Sequence, residues 1–391
     1  MKTLKTLALT AMLLATVSTY GQTLHIFNYC NTLDSRIGES VKVDHERLTR
    51  EALLIGACIN YETASYNGIG SACSKENLMS DLDNLRCGKD DIVLFYYSGH
   101  GVRSTQDQSP FPQMMLKYEA YQQDKFVPVH TVVEKLSSKG ARLVIVLTDC
   151  CNSESSMVSA KGESPLSRDN SAIDYEKIEA AYKKLFLENK GIIVATSSKA
   201  GQTSECAVLE QIIDGRKQFK HLGGVFSLGL FEYALYYAVL GRIPTQWDSI
   251  MYHTSDFISR KGYTQVPYYE ARLSSQPTAI PTQTPSQAQP TVHAIDNDFA
   301  KDISRLIDAG QRPAQRLSLA DELSQKYFSQ GAKVATVGRN GSTVVDYENA
   351  ADWLQRIASS KNIISINIIK ESKNNQGMRQ YITVQEIRNK K

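Results

Sequence analysis

A histidine held between two glycines, Ser98-Gly99-His100-Gly101, follows an apolar run at Ile92–Tyr97, and a pair of cysteines, Asp149-Cys150-Cys151-Asn152-Ser153, follows another at Leu143–Leu147. A thiol and an imidazole together can cleave an acyl bond. The thiolate attacks, the imidazole moves the proton, and backbone amides hold the charge that develops on the carbonyl oxygen. Glycines beside His100 leave its backbone uncovered, so the Gly101 amide, with that of Cys151, can face an oxyanion while substrate passes close to the chain. Taken singly, a loop His or Cys is more often incidental than catalytic. Their shared position, each just after a strand-like run, gives the pair its weight.

The elements that must position them are legible as alternation. Leu24–Tyr29, Ile92–Tyr97, Leu143–Leu147 and Ile192–Ala195 read as strands buried on both faces, and Val43–Ile59, Lys75–Leu85, His130–Leu136 and Tyr175–Glu188 as helices between them. This order predicts an α/β fold with a mostly parallel central sheet flanked by helices. Such sheets bind ligands beyond the carboxyl ends of their strands, where His100 and Cys151 both fall.

Three stretches carry a resemblance to the caspase and metacaspase superfamily of cysteine peptidases: Phe95-Tyr-Tyr-Ser-Gly-His-Gly101, Val144-Ile-Val-Leu-Thr-Asp-Cys-Cys-Asn-Ser153, and Ala195-Thr-Ser-Ser-Lys-Ala-Gly-Gln-Thr-Ser-Glu205. The interval from His100 to Cys151 also matches the roughly fifty residues found in caspase-type peptidases. The likeness spans about Leu24–Glu270 and implies the caspase-hemoglobinase sandwich and endopeptidase activity, with Cys151 and His100 as the dyad and Gly101 at the oxyanion. Metacaspases carry Asp, any residue, Cys, any residue, Ser, and that frame puts the nucleophile at Cys151. Strand parity agrees, setting Asp149 and Cys151 on one face and Cys150 on the other with Val144 and Val146.

The resemblance also bears on specificity. Caspases cut after Asp using arginines, whereas metacaspases cut after Arg or Lys using carboxylates. Asp149, two residues before the nucleophile, is the metacaspase choice. Asp34 and Arg36 compete for a second pocket position after the first strand, and Cys206, beside Glu205, fills the place of a caspase arginine. An acidic pocket built from Asp149, Asp34 and Glu205 is the expectation, suited to Lys and, bidentately, to Arg. The polar stretch from Asn152 to Lys190, containing Lys161 and Arg168, reads as a loop that such an enzyme would cut in itself.

The rest of the chain sets bounds. Its 391 residues carry 44 Lys and Arg against 41 Asp and Glu, with no basic tail, which excludes a nucleic-acid footprint. Lys2 and Lys5 precede an apolar Leu7–Val17, the pattern of a secretory signal over 1–21, too short to span a bilayer. The mature protein is expected to be secreted or periplasmic, without a stable membrane anchor, acting on protein or peptide substrates, and nothing in the sequence requires more than a monomer. The peptidase-like part covers 22–273, a Pro/Gln/Thr-rich linker 274–296, and a small α+β domain without a recognisable site 297–391. Val225–Leu240 reads as a core helix. Seven cysteines leave at least one unpaired. No cofactor is implied: calcium has no Asp-x-Asp-x-Asp-Gly loop to support it, and zinc lacks Cys-x-x-Cys or His-x-x-x-His spacing. The competing reading is a silent peptidase-like fold serving as a binding or scaffold protein.

Overall fold

A computed structural model describes residues 21–104, 106–116, 126–154, 159–162, 174–213, 216–275, 291–293, 297–338 and 344–389. The first half runs β1 (Thr23–Cys30), α1 (Gly38–Ile59), β2 (Glu62–Ile69), α2 (Lys75–Asn84), β3 (Ile92–Ser98), β4 (His100–Val102), β5 (Gln113–Met115), β6 (Phe126–Pro128), α3 (Val129–Ser137) and β7 (Leu143–Asp149). It continues with β8 (Ser159–Gly162), α4 (Tyr175–Leu187), β9 (Asn189–Thr196), β10 (Glu205–Ile213) and β11 (Arg216–Gly224). Then come α5 (Val225–Ser227), a π-helical stretch (Leu228–Leu235), α6 (Tyr236–Val239), α7 (Trp247–Arg260) and β12 (Tyr268–Ser275).

Six strands form the central sheet in the order β12-β9-β7-β3-β1-β2, parallel throughout except for the antiparallel edge strand β12. The four expected strands are its interior. They read as continuous apolar runs because both faces are covered: Ile145 and Leu147 point into a cluster with α1, α4 and the helical run 225–239, while Val144 and Val146 point into one with α2 and α3. The edge strands β2 and β12 carry no such run, since each meets a neighbour on one side only and alternates exposed with half-buried residues.

Helix α1 starts at Gly38, earlier than the apolar periodicity suggested. The Asp34 carboxylate accepts from the amides of Arg36 and Ile37 (2.8 and 3.0 Å) and so organises the turn into the helix. A Cβ on Gly38 would stand 2.7 Å from the Thr32 carbonyl oxygen, so the chain can enter here only without a side chain.

The C-terminal part holds β13 (Thr291–His293), α8 (Asn297–Ile307), α9 (Pro313–Tyr327), β14 (Phe328–Val337), β15 (Val344–Asn349), α10 (Ala350–Ser359), β16 (Ile363–Lys373) and β17 (Arg379–Arg388). Its sheet has the order β13-β16-β17-β14-β15, so the end of the stretch read as linker contributes a strand. This α+β unit packs on α1, α4 and the start of β2: Arg312 pairs with Glu176 at 2.6 Å, the Tyr175 hydroxyl bonds Asp321, and Asn362 donates to Glu62 at 2.8 Å. The signal segment and most of the linker lie outside the described residues.

Candidate active site

Strands β3 and β7 run side by side with Ser98 opposite Asp149, so the chain leaves both at the same sheet edge. Beyond the strands the two segments stay together: the Gly99 amide donates to the Asp149 carbonyl (3.2 Å) and the Arg103 amide to the Ser153 carbonyl (2.9 Å). His100 and Gly101 lie between these two ties, beside Cys150 and Cys151. The approach requires glycine. A Cβ on Gly101 would sit 2.2 Å from the Cys151 carbonyl oxygen and 2.7 Å from Cys150 Sγ, and one on Gly99 would sit 2.6 Å from the Tyr97 hydroxyl. That hydroxyl, with one proton to donate, lies within hydrogen-bond distance of the carbonyl oxygens of His100 and Met115 (2.7 and 2.9 Å), which ties the histidine's backbone to β5.

The His100 ring is buried, with Nε2 3.1 Å from Asp34 Oδ2. A carboxylate can only accept, so Nε2 carries the proton and Nδ1 is the basic nitrogen of the neutral ring. Asp34 was expected in the pocket wall. It is instead the group that orients the histidine, because its position in the tight turn after β1 turns one oxygen to the α1 entry and the other to the ring. Arg36, its competitor, is exposed.

Cys150 lies in the apolar cluster with Val144 and Val146, and its thiol is pushed well above the ordinary range by burial. Cys151 Sγ accepts from the Ser204 amide at 3.3 Å and lies 3.8 Å from the Ser204 carbonyl oxygen. Burial pushes the Cys151 thiol up to about 11, with the Ser204 amide working in the opposite direction. A buried thiol of this kind is neutral near pH 7 and needs a base to become a nucleophile.

Next to the thiol, a cleft is lined by Ile37, Val41, Ser98, Gly99, Asp149, Ser204, Glu205, Cys206 and Gly224. Asp149 accepts from Ser204 Oγ (2.8 Å) and the Ser227 amide (3.0 Å). Burial, with Asp44 nearby, pushes its carboxyl up to about 7. Asp44, behind this wall, accepts from Ser98 Oγ (2.7 Å), the Gly224 amide (3.0 Å) and Ser227 Oγ, and pairs with Arg47 at 2.8 Å. Arg47 thus offsets one of the two buried carboxylates, and Asp149 is held by neutral donors alone. Glu205 lies at the rim, its amide bonded to Gln265 at 2.7 Å. Asp44 escaped the sequence reading, and Ser204, though inside the third quoted stretch, was given no role. Asp44 had a signal: it shares the buried stripe of α1 with Val41 and Leu48, where an unpaired carboxylate would be costly.

A second cluster, His25, Cys87 and Asp91, brings possible metal ligands together at the opposite, amino-terminal end of the sheet. Asp91 already accepts from the Thr23 and Gly88 amides (2.9 and 2.7 Å) and faces His25 Nε2 at 3.1 Å, an arrangement that pins β1 to the start of β3. No disulfide links any of the seven cysteines.

The profile of the Caspase domain family matches residues 28–276, which is most of the chain and contains every residue of this site. The chain belongs to the caspase family. Caspase-family proteins are cysteine peptidases, and the mostly parallel sheet between two helical layers is their fold. Two solved structures are similar. One is caspase-1 from Spodoptera frugiperda, at 14% identity over 65% of this chain and 91% of that one, with a TM-score of 0.35. The other is a protein from Geobacter sulfurreducens, at 15% identity over 66% of this chain and 95% of that one, also with a TM-score of 0.35. No curated protein matches the sequence significantly.

Two predictions follow the geometry of this caspase-family site. Gly101→Ala forces β4 away from the Cys151 carbonyl, and peptide hydrolysis should fall at least about a hundredfold, since even a 1 Å misplacement of reacting groups can cost that much; circular dichroism should remain near wild type. The second concerns pH. Folding raises the Asp149 pKa, so the stabilisation it gives is complete below its unfolded value of 3.8 and is lost as pH rises through about 7. Urea midpoints should therefore fall between pH 5 and pH 8, and fall less in Asp149→Asn; equal slopes for the two proteins would contradict the assignment.

Proposed function

We propose that this protein is an exported cysteine endopeptidase that cleaves peptide bonds after Arg or Lys. The observation that carries the specificity is the make-up of the cleft beside Cys151: a buried carboxylate, Asp149, is held by neutral hydrogen-bond donors, and among the described residues lining the wall there is no Arg or Lys. Cys206 stands where a caspase arginine is expected, and Arg36 is exposed. An acidic substrate residue would meet Asp149 and repel it. A guanidinium or ammonium would restore the missing positive charge and draw the Asp149 proton off.

In this mechanism His100 Nδ1 takes the thiol proton while Asp34 keeps Nε2 protonated and the ring in place. The Cys151 thiolate attacks the carbonyl carbon, and the oxyanion forms against the Gly101 and Cys151 amides. His100 then gives its proton to the departing amine, leaving a thioester that water hydrolyses with His100 as base. Asp44 tunes the pocket without meeting the reacting atoms, since its charge raises the Asp149 pKa and Arg47 limits how far. Export rests on Lys2, Lys5 and the apolar run Leu7–Val17. Among the described residues no helix is long and apolar enough to cross a membrane.

A fluorogenic panel ending in Arg, Lys or Asp tests the proposal. Turnover is expected for Arg and Lys, with kcat/KM rising with pH as Asp149 ionises near 7. Cys151→Ala should abolish it, Cys150→Ala should retain most of it, and Asp34→Asn should lower kcat while leaving KM nearly unchanged. Preference for Asp, or turnover surviving in Cys151→Ala, would overturn the reading. Self-processing within the 152–190 stretch is part of the same proposal: fragments should appear in the purified wild type and be absent from Cys151→Ala.

A further inference from the structure

At the end of the central sheet away from the thiol, side chains that suit a metal ion come together from two separate stretches of chain. His25 lies on β1 and, since side chains alternate along a strand, faces the same way as Phe27 and Tyr29, into the layer of α2 and α3. Cys87 packs at the margin of that layer, and Asp91 closes the turn that leads into β3. One ligating atom from each lies within 4.8 Å of the other two. Asp91 is anchored by the backbone: Oδ1 accepts from the Thr23 amide at 2.9 Å and Oδ2 from the Gly88 amide at 2.7 Å, with His25 Nε2 3.1 Å from Oδ2. The His25 ring is 6% exposed and lies against Tyr66, with ring centroids 6.3 Å apart. Its Nδ1 is buried and has no hydrogen-bond partner among the described residues. The contact with Asp91 alone therefore sets which nitrogen carries the ring proton, and a cation that takes over that contact can reset it.

We propose that His25, Cys87 and Asp91 bind a divalent cation of the zinc class through nitrogen, sulfur and oxygen, with water in the fourth position. Nothing in this depends on the peptidase reading. A tetrahedral zinc ion about 2.0–2.3 Å from its ligands holds them roughly 3.3–3.6 Å apart, so atoms already within 4.8 Å need close by about 1.5 Å at most. The donors decide the class: calcium and magnesium take oxygen ligands, whereas a thiolate beside an imidazole suits zinc. One thiolate and one carboxylate cancel the two charges of the ion, so a half-buried site gains no net charge. On binding, the Cys87 thiol releases its proton to solvent, and the neutral imidazole loses the Nε2 proton and gains one on Nδ1, which leaves a lone pair on each ligating atom. Asp91 Oδ2 exchanges the histidine contact for the cation and keeps the Gly88 amide. Gly88, Lys89 and Asp90 are exposed, so the cation and its water have an open side. The ion would clamp the start of β1 to the turn before β3, and its effect would fall on stability, far from His100 and Cys151.

The test uses the full chain carrying Cys151→Ala, so that the dyad thiol cannot compete for the ion, with and without Cys87→Ser. Co²⁺ alone is titrated in a non-coordinating buffer and followed by absorption, and Zn²⁺ is then added to displace it. One equivalent of Co²⁺ should give a tetrahedral visible spectrum with a thiolate-to-cobalt charge-transfer band, and one equivalent of Zn²⁺ should bleach both. Cys87→Ser should lose the charge-transfer band and bind at least about a hundredfold more weakly, since even groups outside the ligand set cost 10–100-fold. Two readouts need no change at position 87. Saturating Zn²⁺ should protect Cys87 from iodoacetamide, mapped by mass spectrometry, and should raise the urea midpoint. A charge-transfer band that survives Cys87→Ser, Co²⁺ uptake without that band, or Zn²⁺ that alters neither Cys87 alkylation nor the urea midpoint would overturn the proposal.

Discussion

The register between β3 and β7 is the constraint on which the site depends. Pairing Ser98 with Asp149 sends two chain segments off one edge together, and the glycines at 99 and 101 let them stay in contact beyond the sheet. Side chains alternate along a strand, so a slip of one residue would turn Cys151, with Ile145, Leu147 and Asp149, into the layer of α2 and α3, and Cys150, with Val144 and Val146, to the opposite side. The apolar clusters on the two faces prevent this, because the same slip would misplace every residue of a fully buried strand. The core thus selects which sulfur faces the cleft.

Electrostatics in the cleft follow from the same burial. Two carboxylates, Asp44 and Asp149, sit close together away from water, with one guanidinium, Arg47, in contact with one of them. Ionising both costs free energy that the fold recovers only in part through Ser98, Ser204, Ser227 and Gly224. In the proposed specificity, it is this pair of carboxylates that would receive a basic substrate residue. The π-helical stretch after Ser227 continues the segment whose first turn supplies donors to both carboxylates, linking pocket geometry to the packing of α7.

The interior of the sheet was legible because strands buried on both faces are unbroken apolar runs bounded by polar residues, as at Leu143–Asp149. Edge strands β2 and β12 and the β10–β11 ribbon were not, since half-exposed strands lack that contrast. His100, Cys151, Gly101 and Asp149 could be singled out because each sits at a fixed offset from an interior strand. Asp34 was picked out but given the wrong neighbour. A residue in a turn can face either wall of a cleft, and only the hydrogen bond to Nε2 fixes which. Asp44 needed the helix stripe to be read for what it should not contain, and Ser204, although inside a quoted stretch, needed the path of the chain after β9 to show that its amide meets Cys151 Sγ.

The measurement that most directly tests the account is covalent trapping: the processed protein is incubated with a peptidyl acyloxymethyl ketone ending in Arg, and the modified residue is mapped by tandem mass spectrometry. The account predicts one adduct, on the sulfur of Cys151, formed with the Arg reagent and not with its Asp counterpart, and lost in His100→Ala. An adduct on Cys150, equal labelling by the Asp reagent, or labelling of Cys151 that does not depend on His100 would contradict it.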